Sequence, residues 1–123
     1  MGKLKVYSYD KCGTCKKALK FLDAGKVPYE CLPIVEKPPT LGELKSVLGH
    51  LKERGLGLNK LFNTSGELYR SMGISEKLKS MSETEALKLL SQHGKLIKRP
   101  FVVADGNGLV GFNEEEWKKA LKA

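Results

Sequence analysis

Two cysteines three positions apart near the start of the chain restrict what it can fold into more than any other feature. Cys12-Gly13-Thr14-Cys15 follows a short apolar run, Leu4-Lys5-Val6-Tyr7, and precedes a stretch with helical periodicity. Cys15, Ala18, Leu19 and Leu22 recur at the i, i+3, i+4, i+7 spacing of one helix face. The pattern predicts a strand over residues 3–8 and a helix over residues 13–24. A dithiol between a strand and a helix N-terminus is a redox arrangement, because the terminal amides and the positive end of the helix dipole favour a thiolate. Lys11, Lys16 and Lys17 act in the same direction. The stripe puts Cys12 at or just before the helix, open to a substrate, and Cys15 one turn inward on the buried face. Cys12 is therefore read as the nucleophile and Cys15 as the resolving thiol.

Metal binding is the weaker reading of the pair. A structural zinc site usually needs four ligands. The other candidates, Cys31, His50 and His93, form no second close pair, so no metal is assigned. Three cysteines in all fit a disulfide scaffold poorly. No apolar run approaches the ~20 residues that cross a bilayer, and the N-terminus lacks the pattern of a secretory signal. The expected address is cytoplasmic, with no membrane association. The net charge of +8 is concentrated early in the chain and suits anionic substrates or acidic protein partners. Most lysines fall on predicted solvent faces of helices, and only three arginines occur. No Arg/Lys cluster interleaves with aromatics, so direct nucleic-acid binding is not expected.

Gly25 is read as the C-cap of the first helix. Residues 28–35 read as a second strand containing Cys31, which is taken as a small buried apolar residue. Strand–helix–strand over so short a span is a right-handed parallel unit. Pro38-Pro39 closes it. Thr40-Leu41-Gly42-Glu43 forms a capping box, and Leu41, Leu44, Val47, Leu48 and Leu51 continue as a helix stripe to about Arg54. Residues 58–80 predict several short helices. Ser82-Glu83-Thr84-Glu85 is a second capping box, opening a helix that ends near Gly94. Strand character returns at Leu96-Ile97 and at Phe101-Val102-Val103-Ala104. Asp105-Gly106-Asn107-Gly108 is a hairpin turn signal, with Leu109-Val110-Gly111-Phe112 as the returning strand. Asn113 caps a last helix whose buried face is Trp117, Ala120 and Leu121. The expected fold is α/β: a four-stranded mixed sheet flanked by helices, with an all-helical insertion between strands 2 and 3. The whole chain, 1–123, is read as one domain, in which 1–37 and 95–123 form the core and 38–94 the insertion.

Arg99-Pro100 precedes the third main strand. On local sequence alone Arg99 is a surface arginine. Five segments taken together change that reading: YSYDKCGTC at 7–15, Pro38-Pro39-Thr40 with Glu43-Leu44, LFNTSGELY at 61–69, LIKRP at 96–100 and VGFNEEEW at 110–117. In this order and spacing the chain resembles the arsenate reductase (ArsC)/Spx family over nearly its full length. The resemblance implies a thioredoxin-like fold, a bacterial cytoplasmic protein, Cys12 as the redox cysteine, Arg99 beside it and a cis peptide at Pro100. It implies Cys12, Cys15 and Arg99 as catalytic residues, and Lys11, Gly13, Thr14, Asn63, Arg99 and Pro100 as the substrate-binding set.

The resemblance implies two functions. Arsenate reductases of the family use one cysteine with three arginines, and no cofactor is bound. Glutathione is then a co-substrate, and glutaredoxin or thioredoxin a partner. Cys12 and Arg99 match that pattern, whereas the second arginine position falls at Asn63 and the third near Phe112. The Spx branch carries a Cys-x-x-Cys switch and regulates transcription by binding the RNA polymerase alpha subunit. The leading expectation is an arsenate reductase-like thiol oxidoreductase, and the alternative is a redox-sensing regulator.

Overall fold

The computed structural model describes residues 4–9, 13–64, 66–104 and 107–121. Four strands form one mixed sheet: β1 (Leu4–Ser8), β2 (Tyr29–Pro33), β3 (Phe101–Ala104) and β4 (Asn107–Val110), in the spatial order β2-β1-β3-β4. β1 and β2 run parallel, with Val6 opposite Cys31 and Ser8 opposite Pro33. The β1–β3 and β3–β4 pairs are antiparallel. Helix α1 (Gly13–Ala24) makes the crossover between β1 and β2, and α6 (Glu114–Leu121) follows β4. Between β2 and β3 lie α2 (Leu41–Glu53), α3 (Glu67–Ser71), α4 (Ile74–Lys77), α5 (Glu83–Gln92) and two 3-10 turns, Leu58–Leu61 and Gly94–Leu96. This is the expected α/β arrangement.

Strand alternation divides the core between the two faces of the sheet. Leu4 and Val6 of β1 face Ala18 and Leu22 of α1, and Val102, Leu109 and Trp117 complete that cluster. Tyr7 and Phe101 point the other way, into a larger cluster with Leu44, Val47, Leu48 and Leu51 of α2 and Leu87 and Leu90 of α5. Full burial of each such side chain contributes about 1.5–3 kcal/mol, so both layers are needed to offset chain entropy. Trp117 is fully buried, and its indole N–H donates to Gly111 O at 3.1 Å. Phe112 and Phe21 pack around it with ring centres 5.0 and 6.2 Å away.

The local signals that set the helix starts behave as expected. Thr40 and Glu43 close a reciprocal capping box on α2, and Ser82 and Glu85 do the same on α5. Asn113 Oδ1 accepts from Glu116 N at 3.0 Å and starts α6. Glu43 also reaches across to the sheet: it accepts from Tyr7 Oη at 2.7 Å and from Lys5 Nζ at 3.2 Å. The start of α2 is thereby tied to β1. Gly94 passes so close to the Ile34 carbonyl that a Cβ there would collide with backbone. This contact joins the end of α5 to the segment after β2.

Several expectations need correction. Gly25 follows Ala24 at the C-cap as expected, but the left-handed residue is the next one, Lys26, at φ 54°. Lys26 N bonds to Asp23 O and Val27 N to Leu22 O, a Schellman ending in which the position after the C-cap, usually a glycine, is held by Lys26. β2 is shorter than 28–35, and Cys31 within it is exposed, because β2 is the edge of the sheet. Leu96 ends a 3-10 turn, and Ile97 makes a single bridge with Phe62 instead of starting a strand. β4 begins at Asn107 and stops at Val110, because Gly111 takes φ 68° and bonds back to Pro100 O. The predicted turn residues Asp105 and Gly106 lie outside the described residues. No helix among the described residues is long and apolar enough to cross a membrane.

Candidate functional site

The predicted site residues come from three places: the β1–α1 connection, the segment after the first 3-10 turn, and the approach to β3. Lys11 and Cys12 lie outside the described residues. Gly13 and Thr14 open α1 and are exposed, whereas Cys15 in its first turn is 1% exposed. The helical spacing therefore places Cys15 on the buried face of α1, as its periodicity predicts, while Gly13 and Thr14 are exposed.

Asn63 and Arg99, 36 positions apart in sequence, meet through a short antiparallel pairing. Asn63 N donates to Leu96 O at 2.7 Å, and Lys98 N donates to Leu61 O at 2.7 Å, around the Phe62–Ile97 bridge. The pairing brings the segment after the 3-10 turn beside the approach to β3. The Asn63 side chain packs over Gly66, where a Cβ would come within 2.7 Å of Asn63 Nδ2. Only glycine leaves the amide where it is. The Arg99–Pro100 peptide is cis, as the resemblance implied, and Pro100 is buried.

The Arg99 guanidinium lies over the ring of Tyr9, with Cζ 4.8 Å from the ring centre. A cation over an aromatic face gains about 0.5–1 kcal/mol where solvent reaches it, and the contact also fixes the plane of the fork. Tyr9 is absent from the predicted site set. The available signal was strand alternation: Tyr9 continues the Lys5, Tyr7 face of β1, the face turned toward α2. Tyr9, Asn63 and Arg99 line one cleft of about 400 Å³, together with Gly66, Glu67, Leu68 and Ser71 around α3 and Lys95. This is a suitable size for a small ligand.

The third family arginine position falls outside this cleft. Phe112 packs against Phe21 and Trp117 and is not among the cleft-lining residues. Two cations, Lys95 and Arg99, and one carboxylate, Glu67, face the cleft among the described residues. A second cleft of about 560 Å³ adjoins it, and Tyr9 borders both. Its lining includes Cys15, Cys31, Lys16 and Glu36. Cys31 Sγ and Ser8 Oγ are hydrogen-bonded at 3.0 Å. The exposed third cysteine thus stands on the same face of the sheet as the dithiol helix. Among the described residues, no group of three or more His, Cys, Asp or Glu side chains could hold a metal ion.

The arrangement combines a buried cysteine in the first helical turn with a cis-proline loop whose arginine is held by an aromatic ring. Comparison with known proteins agrees with it. The ArsC family profile matches residues 7–120, and the chain belongs to that family. The YusI protein of Bacillus subtilis (strain 168), itself uncharacterized, is 43% identical over 94% of this chain and 96% of its own length. The global transcriptional regulator Spx of Streptococcus pneumoniae (strain ATCC BAA-255 / R6) is 31% identical over 96% of this chain and 85% of its own. The crystal structure of an ArsC family related protein from Bacteroides fragilis superimposes with a TM-score of 0.87, at 42% identity, over 96% of this chain and 97% of that one. The fold is thus of the thioredoxin-like type that the resemblance implied.

Proposed function

We propose that this protein is a thiol–disulfide oxidoreductase of the arsenate reductase-like type. Cys12 thiolate attacks one sulfur of a disulfide. The S–S bond breaks, and the far sulfur leaves as a thiolate. Cys15 then attacks the Cys12 sulfur, releases the second thiol and leaves a Cys12–Cys15 disulfide. Glutathione, glutaredoxin or thioredoxin supplies two electrons to restore the dithiol. Arg99 stabilises negative charge on the substrate or on the leaving sulfur. The observation that carries this reading is the burial of Cys15 on the first turn of α1 behind exposed Gly13 and Thr14. A resolving thiol needs protection from solvent oxidants, whereas an attacking thiol needs access.

Arsenate itself is the less favoured substrate. Asn63 offers one amide where a planar fork would grip an oxyanion, and Phe112 offers an apolar ring. A thiol-coupled NADPH assay with arsenate and with small disulfides tests the reading. Turnover that Cys12→Ser abolishes is the expected result, and no turnover with either substrate class contradicts it.

The similarity to Spx supports a second reading, a redox-sensing regulator. A Cys12–Cys15 disulfide would then alter the surface beside Arg99 and so the affinity for a partner. The partner that the Spx resemblance implies is the C-terminal domain of the RNA polymerase alpha subunit. A pull-down with that domain, reduced against oxidised, decides it: binding in neither state removes this reading.

A further inference from the structure

Two of the three cysteines reach one cleft from different layers of the fold. Cys15 shares the buried stripe of α1 with Ala18 and Leu22, which pack against Val6 of β1. Cys31 stands opposite Val6 in the parallel β1–β2 register, so strand alternation puts it on the same side of the sheet, toward α1. Its hydrogen bond to Ser8 Oγ, at 3.0 Å, holds the sulfur on that side, since Ser8 follows Val6 by two positions. The cleft between them measures about 560 Å³, with Leu19 and Pro33 as apolar walls. The two thiols differ in access: Cys15 is 1% exposed, whereas Cys31 is open to solvent at the sheet edge.

We propose that Cys31 is a third redox thiol, which takes the disulfide over from Cys12 by way of Cys15. The proposal rests on the oxidoreductase reading and adds a relay to the same site. The reaction with substrate leaves a Cys12–Cys15 disulfide. Cys31 gives its proton to solvent, and its thiolate attacks Cys15 Sγ across the cleft. The Cys12–Cys15 bond breaks, a Cys15–Cys31 bond forms, and Cys12 leaves as a thiolate. The protein neither gains nor loses electrons in this exchange. The disulfide moves from the first turn of α1 to the open edge of the sheet. There a dithiol reductant reaches the Cys31 sulfur and returns two electrons, so reduction proceeds at a surface separate from the Tyr9–Arg99 cleft.

Disulfide mapping of the full chain tests the relay. Reduced protein is oxidised with diamide, quenched in acid, alkylated and cut with trypsin. Cleavage after Lys11, Lys16, Lys26 and Lys37 leaves Cys12 and Cys15 on one peptide and Cys31 on another. The relay disulfide is therefore a cross-link between two peptides, from protein of monomer mass. It should be present in wild type, with fragmentation placing it on Cys15. It should persist in Cys12→Ser and vanish in Cys31→Ser, and oxidised Cys31→Ser should be reduced by dithiothreitol several-fold more slowly than wild type. No cross-link in wild type, a wild-type cross-link carried by Cys12 or formed only between two chains, or reduction of Cys31→Ser at the wild-type rate would overturn the proposal. Failure of the oxidoreductase reading looks different: no substrate disulfide is turned over, while diamide still produces the Cys15–Cys31 bond.

Discussion

The guanidinium of Arg99 rests on the ring of Tyr9, 4.8 Å from its centre. The contact joins the end of the first strand to the loop before the third. It holds the arginine of the Asn63 cleft against Tyr9, the residue that also borders the neighbouring cleft lined by Cys15. Tyr9→Leu should therefore impair Arg99 without removing it. A loss of about 0.5–1 kcal/mol corresponds to a roughly two- to fivefold fall in kcat/KM for small disulfides. Arg99→Ala should cost about tenfold or more, since charge-assisted hydrogen bonds contribute about 1.5–3 kcal/mol. Steady-state kinetics on both variants check this. A Tyr9→Leu enzyme with wild-type kinetics would show that the ring does not position the arginine.

The Glu43 carboxylate makes stability depend on pH. Burial pushes its pKa up, but the Thr40 amide, the Tyr7 hydroxyl and Lys5 together outweigh burial and hold it below the usual value. A depressed folded-state pKa adds stability that is complete above the unfolded value of about 4.3 and is lost as pH falls through the folded one. Glu43→Gln should lose about 1–3 kcal/mol at neutral pH. The gap from wild type should narrow steadily as pH drops below about 4. Denaturant titrations at several pH values measure it, and a gap independent of pH would refute the role given to the charge.

Tyr7 feels the same carboxylate from the other side. Burial first, and then its hydrogen bond to Glu43, drive its pKa far above the ordinary tyrosine value. The phenol therefore stays protonated and donating through the neutral range, as the bond to Glu43 requires.

Lys26 carries the left-handed turn that ends α1, at φ 54°. A side chain there costs about 1–2 kcal/mol relative to the right-handed region, part of which glycine gives back through its greater freedom when unfolded. Lys26→Gly should raise stability by about 0.5–1 kcal/mol, with activity unchanged. Thermal unfolding with a parallel turnover assay checks both halves. A destabilised variant would mean that the lysine side chain makes a compensating contact.

The parts of the fold that were readable in sequence are those with local causes. The capping boxes at Thr40 and Ser82 need only residues three apart, and the stripe from Leu44 to Leu51 needs only one helix face. The Cys15 burial follows from the same periodicity. Cys31 was misread because its exposure depends on sheet order: a strand with one neighbour lacks cover on its open edge. The end of β4 was misplaced because Val110-Gly111-Phe112 looks continuous, while the Gly111 bonds to Pro100 and Trp117 turn the chain. The Asn63–Arg99 juxtaposition depends on the Phe62–Ile97 bridge across 35 positions. Residue spacing carries no trace of that bridge, so only the family resemblance pointed to it. Glu67 and Lys95 carried no local signal and emerge only when α3 and the second 3-10 turn line one cleft.

Exposure should sort the described cysteines chemically. Cys31 lies open beside Ser8, whereas Cys15 is 1% exposed. Alkylation of reduced native protein, followed by peptide mapping, should label Cys31 well before Cys15, because a buried thiol reacts only after local opening. Equal labelling would show that α1 opens at its first turn on the timescale of the reaction.

The most direct test of the account is capture of the first covalent intermediate. In Cys15→Ser the resolving step is blocked, so exposure to glutathione disulfide should leave one glutathione attached to the protein. Intact mass and peptide mapping should place it on Cys12, and Arg99→Ala in the same background should slow its formation by about tenfold. An adduct found only on Cys31, or none at all, would contradict the assignment of Cys12 as the attacking thiol.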